Sequence, residues 1–263
     1  MAIRVPFGER YLPGSSAIHA MDARIKLPAA LAYIFAVTLT PVGHWAALGL
    51  LALPLVAALA LSRLSPLLVA RRSALALPFV LAAAPLMFTK EGEALFSVPL
   101  LGWTASQEGL EAVLSILAKS WLSVVAAVIL TATTPAAELL RAMRTLGLPR
   151  VMVATVSFMY RYLFVIGEEA LRLMRARDSR SARLPGQKVG SRLGWRAKVL
   201  GHMVGSLFLR TYERSERVYA AMQARGYDGE PRFLWGRAWR VPEVLVAAAL
   251  VIYLAGVEVY ARY

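Results

Sequence analysis

Two arginines, each between two small residues, are the side chains in this sequence whose setting best suits them to bind another molecule. They lie in Ser179-Arg180-Ser181 and Ala224-Arg225-Gly226, and each triplet ends an amphipathic helical pattern. Small neighbours let a second surface approach the backbone, and a guanidinium there can make a bidentate hydrogen bond to a carboxylate. The plainer alternative is a solvated arginine at a helix end, where it favours the helix dipole. The repeated layout favours two contact surfaces over an active site.

Composition places the rest of the chain in a membrane. Of its 263 residues, 58% are hydrophobic, whereas a soluble domain is about 45–50% apolar. The first 26 residues are polar and show no cleavable signal pattern, so we expect the first membrane segment to act as its own insertion signal. The absence of cysteine excludes disulfides, thiolate metal sites and cysteine nucleophiles.

The apolar stretches predict an all-α integral membrane protein with about five transmembrane helices. They cover residues 27–41, 45–61, 73–89, 109–132 and 241–257. We divide the chain into four parts: an amino-terminal arm, four transmembrane helices, a cytoplasmic helical region that carries both arginine triplets, and the last helix with its external end. Their ranges are 1–26, 27–134, 135–240 and 241–263.

Charge predicts the orientation. The net charge is +14, and residues 161–240 hold 17 Lys and Arg against 7 Asp and Glu. Because cytoplasmic loops carry an excess of Lys and Arg, this region and the amino terminus are predicted to be cytoplasmic. Nucleic-acid binding is not favoured, since no RNP, zinc-finger or helix-turn-helix pattern accompanies the arginines.

A short amphipathic helix, Ala136–Leu146, is predicted where the fourth apolar stretch meets the cytoplasmic region. Thr134 would cap it, Pro135 would occupy its first helical position, and Gly147 would follow its end. Two long helices, 151–180 and 193–224, come next.

The first half of the earlier long helix, Val151–Gly167, is apolar enough to be mistaken for a membrane span, but it carries Arg161. If it crossed the membrane, the arginine-rich stretch would lie outside, against the positive-inside rule. We therefore expect it to be partly embedded or packed beneath the other helices.

Three further polar residues are candidates for chemistry within the membrane part. Glu111 and Lys119 fall in or beside the fourth apolar stretch. A charge at that depth can mark a transport pathway, or it can have a structural role, packing against a neighbouring subunit or reaching the membrane interface. We favour the structural role. His19 lies near Asp22, and a lone imidazole of this kind is more often a structural hydrogen-bond partner than a metal ligand.

Four segments together resemble the transmembrane coupling subunit, the T component, of energy-coupling factor (ECF) transporters, which are importers powered by ABC-type ATPases. The resemblance runs nearly end to end. It is closest to the cobalt-transport type and departs from the usual Asp-Pro-Arg at Asp22-Ala23-Arg24. The segments are SAIHAMDARIKL (16–27), TTPAAELLRAMRTLGLP (133–149), FMYRYLFVIGEEALRLMRARDSRS (158–181) and SERVYAAMQARGYDGE (215–230).

The resemblance implies partners and roles that spacing alone does not. Arg180 with Ser179 and Ser181 would dock on one ATPase subunit, and Arg225 with Ala224 and Gly226 on a second. The apolar half at Val151–Gly167 would face a membrane S component that binds the substrate. The resemblance also allows a small accessory membrane subunit, and it implies a bacterial inner membrane. It implies no cofactor, no catalytic residue and no metal ligand in this chain, and it points to cobalt or nickel as cargo.

Three alternatives remain open at this point. A T component of the same family could serve vitamin uptake. A membrane-embedded transferase would need a carboxylate cluster or an activated nucleophile, and no paired-Asp or G-x-S-x-G motif is present. A self-contained secondary transporter would show internal repeats with interrupted helices, which the sequence does not show.

Overall fold

The structure, a computed structural model of the chain, describes residues 11–74, 78, 83, 85–89, 94–98, 103–180, 193–229 and 241–263. It divides into two compact units. A larger unit is formed by Glu9–Gly147 together with Gly236–Tyr263, and a smaller one is built on Leu148–Trp235. The predicted α-helical membrane fold is confirmed.

Ten helices and one short hairpin make up the described part of the chain. In chain order they are α1 (Ala17–Ala20), α2 (Ala23–Leu39), α3 (Trp45–Ser62), α4 (Pro66–Ser73), α5 (Leu86–Thr89), β1 (Ala94–Val98), β2 (Trp103–Ser106), α6 (Gln107–Thr133), α7 (Ala136–Thr145), α8 (Arg150–Arg180), α9 (Leu193–Ala224) and α10 (Val241–Tyr260). The strands pair antiparallel.

Four helices of the larger unit, α2, α3, α6 and α10, share one apolar core. Small residues alternate with large ones in it, which lets the helices approach closely. Its buried members are Tyr33, Ala36, Val37, Ala47, Leu51, Ala126, Leu254, Val257 and Ala261. The last helix, α10, therefore packs against the early helices α2 and α3.

Pro54 lies inside α3 and leaves the carbonyl four residues earlier without a main-chain donor. That carbonyl belongs to Leu50, and the hydroxyl of Tyr253 on α10 donates to it at 2.9 Å. The hydroxyl of Tyr33 on α2 donates to the next carbonyl, that of Leu51, also at 2.9 Å. Neighbouring helices therefore satisfy the backbone that the proline opens, as a low-dielectric setting requires.

The smaller unit contains α8 and α9, which run antiparallel. The guanidinium of Arg210 on α9 bonds Glu169 of α8 at 2.9 Å. The ring of Tyr227, after the end of α9, meets that of Phe158 near the start of α8, with centroids 6.4 Å apart. Residue numbers thus rise along one helix as they fall along the other.

Among the described residues, four helices are long and apolar enough to cross a membrane: α3, α6, α8 and α10. Three of them coincide with predicted spans. The first predicted span corresponds to α2, which has 17 residues, and about half of the third lies outside the described residues. By length and composition α8 qualifies as well, and its partial embedding stays a prediction.

Two local predictions need correction. Pro135 does not occupy the first helical position, because its backbone is extended (φ −61°, ψ 144°); α7 begins at Ala136, as predicted. The predicted cap by Thr134 is wrong, because its buried hydroxyl has no hydrogen-bond partner. Two connections between the predicted spans contain regular structure: α4 follows the second span, and the hairpin precedes the fourth.

Candidate docking site at the two arginines

Arg225 stands at the carboxyl end of α9, in a turn that leaves its side chain outside the helix. Gly226 has φ +79°, a left-handed conformation that favours glycine. Its N–H donates to the carbonyl of Gln223 at 2.9 Å, and that of Tyr227 donates to Met222 at 3.0 Å. These two bonds define a Schellman motif, in which Arg225 occupies the cap position. Gly226 therefore ends α9, in addition to being a small neighbour of Arg225.

Tyr227 anchors this turn. Schellman motifs commonly bring the residue after the glycine against the helix's last turn, and Tyr227 and Met222 line the same groove between α8 and α9. The edge of the Tyr227 ring also meets Phe158 of α8. Sequence analysis missed this anchoring role, although an aromatic directly after Arg-Gly at a helix end is a usable signal for it.

Arg180 is the last residue of α8. The hydroxyl of Ser179 folds back on the helix and donates to the carbonyl of Ala176 at 3.0 Å. The guanidinium of neighbouring Arg177 forms an ion pair with the carboxylate of Asp178, with the nitrogen and oxygen 2.7 Å apart. Ser181 lies outside the described residues, so the structure locates two members of the first predicted triplet and all three of the second.

The two arginines lie at opposite ends of the α8–α9 pair. Arg225 is two residues from Tyr227, which touches Phe158, and Arg180 lies 22 residues further along α8. At 1.5 Å per residue this places them roughly 30 Å apart. One small ligand cannot bridge that distance, so the geometry fits two separate contacts.

Both guanidinium groups are on exposed residues. Within the described residues neither has an ion-pair or side-chain hydrogen-bond partner, whereas neighbouring arginines do: Arg172 and Arg210 with Glu169, and Arg217 with Glu213. A partner's carboxylate could therefore bind them without first displacing an internal one.

A polar junction joins α2, α6, α7 and α10 in the larger unit. The Asp22 carboxylate caps α2 by accepting from the N–H of Arg24 at 2.9 Å. The N–H of Asp22 donates to Glu243 of α10 at 3.0 Å. Lys26, in the first turn of α2 and before the apolar run, donates to the carbonyl of Thr133 at 3.3 Å.

Burial lowers the pKa of Lys26 to about 8, while the carboxylates of Glu138, Asp22 and Glu243 act in the opposite direction. The desolvation of the ammonium outweighs these charges. Lys26 is thus a buried cation that ties the helix ends together.

The three other polar candidates have structural contacts. His19 accepts from the hydroxyl of Ser16 at 2.6 Å and donates from Nε2 to the carbonyl of Leu12 at 3.0 Å, so its partners differ from the predicted aspartate. Lys119 donates to the carbonyl of Thr40 at the end of α2. The Thr40 hydroxyl donates to Glu258 of α10 at 2.9 Å. Glu111 lies beside the α2–α3 turn at Gly43.

The helices and the two exposed arginine ends define a multi-pass α-helical membrane protein that contains a basic helical pair. Residues 14–235 match the model of the cobalt transport protein family. Because that match covers most of the chain, the chain belongs to this family, and the resemblance drawn from its motifs is confirmed.

Individual relatives differ in how much of the chain they cover. The energy-coupling factor transporter transmembrane protein EcfT of Limosilactobacillus fermentum is 29% identical over 265 residues, 96% of each chain. An uncharacterized protein of Methanocaldococcus jannaschii is 30% identical over 138 residues, 50% of this chain and 45% of its own. The nickel permease LarQ of Lactiplantibacillus plantarum is 27% identical over 124 residues, 46% and 42% of the two chains. With the latter two relatives, the alignment spans less than half of the relative's length.

Proposed function

We propose that this chain is the non-catalytic transmembrane coupling subunit of an ATP-driven ECF-type importer. Arg180 docks on one ATPase subunit and Arg225 on another, and the α8–α9 pair transmits their approach to a membrane S component that carries the substrate. The main support for the proposal is that two exposed arginines lie at opposite ends of one helical pair.

The end-to-end match to an EcfT protein supports the coupling role, because it includes both arginine segments. The geometry adds a mechanical reason. Helices α8 and α9 are bound to each other by the Arg210–Glu169 ion pair and the Phe158–Tyr227 contact. A force applied at either arginine therefore acts on both helices.

The exposed apolar face of the same helices supports contact with a membrane partner. Leu163 on α8 is 49% exposed and Phe208 on α9 is 65% exposed in the single chain. Monomeric proteins rarely leave such side chains exposed in contiguous sets unless lipid or another protein covers them. A movement of α8 against α9 would therefore also move an S component bound to this face.

Cobalt or nickel is the proposed cargo. The family is that of cobalt transport proteins, and one relative is a nickel permease. We place the ion site in the S component, since cations of this kind prefer imidazole or thiolate ligands and this chain has three histidines and no cysteine. A T component that serves vitamin uptake is the alternative.

Copurification of the complex tests the docking role. Arg180→Ala and Arg225→Ala should each reduce the ATPase recovered with the membrane subunit, or uncouple ATP hydrolysis from uptake, while the subunit itself stays in the membrane. Arg175→Ala and Arg217→Ala are matched controls, because these exposed arginines lie on the same two helices and bind their own helix. Normal ATPase recovery and normal cobalt uptake in both test variants would rule the proposal out.

A further inference from the structure

A groove of about 370 Å³ lies between α8 and α9, and Tyr227, which anchors the Arg225 turn, is among the residues that line it. Its walls are apolar and aromatic over most of their area. They include Phe158, Met159, Tyr162 and Ile166 from α8 and Val218 and Met222 from α9. Such a surface favours an apolar occupant over water.

Arg214 is the one charged side chain among the residues that line this groove. It is half-buried, and within the described residues it has no ion-pair partner. The nearby carboxylates are already engaged: Glu169 by Arg210, and Glu213 by Arg217. A cation that is partly removed from water without a counter-charge is unfavourable, so the groove favours an anionic occupant.

The hydroxyl groups of the groove fall into two sets. Those of Thr211 and Ser215 donate to carbonyls of their own helix at 2.8 and 2.7 Å. The phenols of Tyr162, Tyr219 and Tyr227 have no hydrogen bond within the described residues and remain as donors along the groove. One guanidinium and several phenols form a donor set that suits phosphate oxygens.

We propose that this groove binds one anionic phospholipid, with its phosphate on Arg214 and an acyl chain along the apolar walls. An acyl chain brings no polar groups into the groove. An extended peptide would bring backbone N–H and C=O groups that the apolar walls leave unsatisfied. Basic pockets between the helices of membrane proteins hold anionic headgroups for the same electrostatic reason.

Native mass spectrometry of the full chain, purified in neutral detergent and stripped of lipid, tests the site. The probes are phosphatidylglycerol, phosphatidylcholine with the same acyl chains, and soluble glycerol phosphate, which has the headgroup chemistry without chains. We expect one tightly held phosphatidylglycerol per chain, and retention weaker by on the order of tenfold in Arg214→Gln, because one charge-assisted contact is lost. Arg217→Gln removes a charge from the same helix outside the groove and should bind as the unmodified chain does.

A second variant keeps the charge of Arg214 and reduces the volume of the groove. Val218→Trp should fill the apolar wall one turn from Arg214 and weaken phosphatidylglycerol retention even if Arg214→Gln does not fold. Equal retention of phosphatidylglycerol in both groove variants and in the control would overturn the proposal. So would equal retention of phosphatidylcholine, or binding of glycerol phosphate as strong as that of the lipid.

A protein occupant gives a different result. If Arg214→Gln lowers recovery of a partner subunit from membranes while lipid retention is unchanged, the groove is a protein-docking surface and the lipid assignment is wrong.

Discussion

The ring of Tyr227 meets the ring of Phe158 edge to face, with centroids 6.4 Å apart. This contact fixes the turn that follows α9 against the start of α8, and the turn carries Arg225 two residues before the tyrosine. The position of the exposed guanidinium thus depends on an aromatic pair between the two long helices.

Removing either ring should loosen the turn. Phe158→Leu and Tyr227→Leu should each weaken the pair by about 0.5–1.5 kcal/mol beyond lost burial. In a double-mutant cycle on ATPase binding by the purified complex, the two changes should be non-additive, because each abolishes the same contact. Strict additivity would show that the aromatic contact does not position Arg225. Tyr219→Leu, at an exposed tyrosine of α9, is the control.

The left-handed backbone at Gly226 makes a separate prediction. A Cβ there meets nothing within 4 Å, yet φ is +79°, so Gly226→Ala should destabilise the end of α9 by about 1–2 kcal/mol through conformation alone. Gly226→Asn should be milder. Gly205→Ala, inside α9 and equally open, should have the opposite sign and stabilise by up to about 1 kcal/mol. Hydrogen exchange at the last turn of α9 measures all three, and a neutral Gly226→Ala would refute the strain argument.

The bond from Tyr253 to Leu50 should matter because of Pro54. Tyr253→Phe should lower the free energy of unfolding by about 1 kcal/mol, since it leaves the partly buried carbonyl of Leu50 without a donor. In a Pro54→Ala background the residue at position 54 supplies the missing N–H, so the same change should have a smaller effect. Unfolding in mixed detergent–SDS micelles compares the four proteins. An equal loss in both backgrounds would contradict the assignment.

The low pKa of Lys26, about 8, predicts the pH dependence of stability. The folded state binds fewer protons than the unfolded state between pH 8 and the ordinary lysine pKa of about 10.4, so the free energy of unfolding should rise with pH across that window. Below pH 8 the penalty for burying the charge is fully present.

Lys26→Met should lack this rise, whereas the control Lys198→Met, at an exposed position, should keep it. The slope of the unfolding free energy between pH 8 and 10 is the measurement. The same slope in the unmodified chain and in Lys26→Met would show that Lys26 keeps its charge when folded.

Regular periodicity let the sequence predict the long helices well. The ends of α8 and α9 follow from the amphipathic pattern and from Gly226, and α10 follows from an apolar run that begins with Pro242 at a helix start. The start of α7 at Ala136 was predicted, but the role of Pro135 was not, because a proline fits both the first helical position and the position before it. Only the extended backbone at Pro135 separates the two.

Contacts between distant segments were beyond the sequence. Nothing local shows that Tyr253 reaches Leu50, that Asp22 meets Glu243, or that Lys119 meets Thr40. The arginine triplets were found because their residue types repeat, but their separation along one helical pair required the antiparallel pairing of α8 and α9.

Cysteine cross-linking tests the central claim most directly, because the chain contains no cysteine of its own. Ser179→Cys and Ala224→Cys place one thiol beside each arginine, and Leu209→Cys, exposed in the middle of α9, is the control. In the assembled complex, the double variant Ser179→Cys with Ala224→Cys should form a species that holds one membrane subunit and two ATPase subunits, while the control forms none. Cross-links from both positions to a single ATPase subunit, or from neither position, would contradict the account.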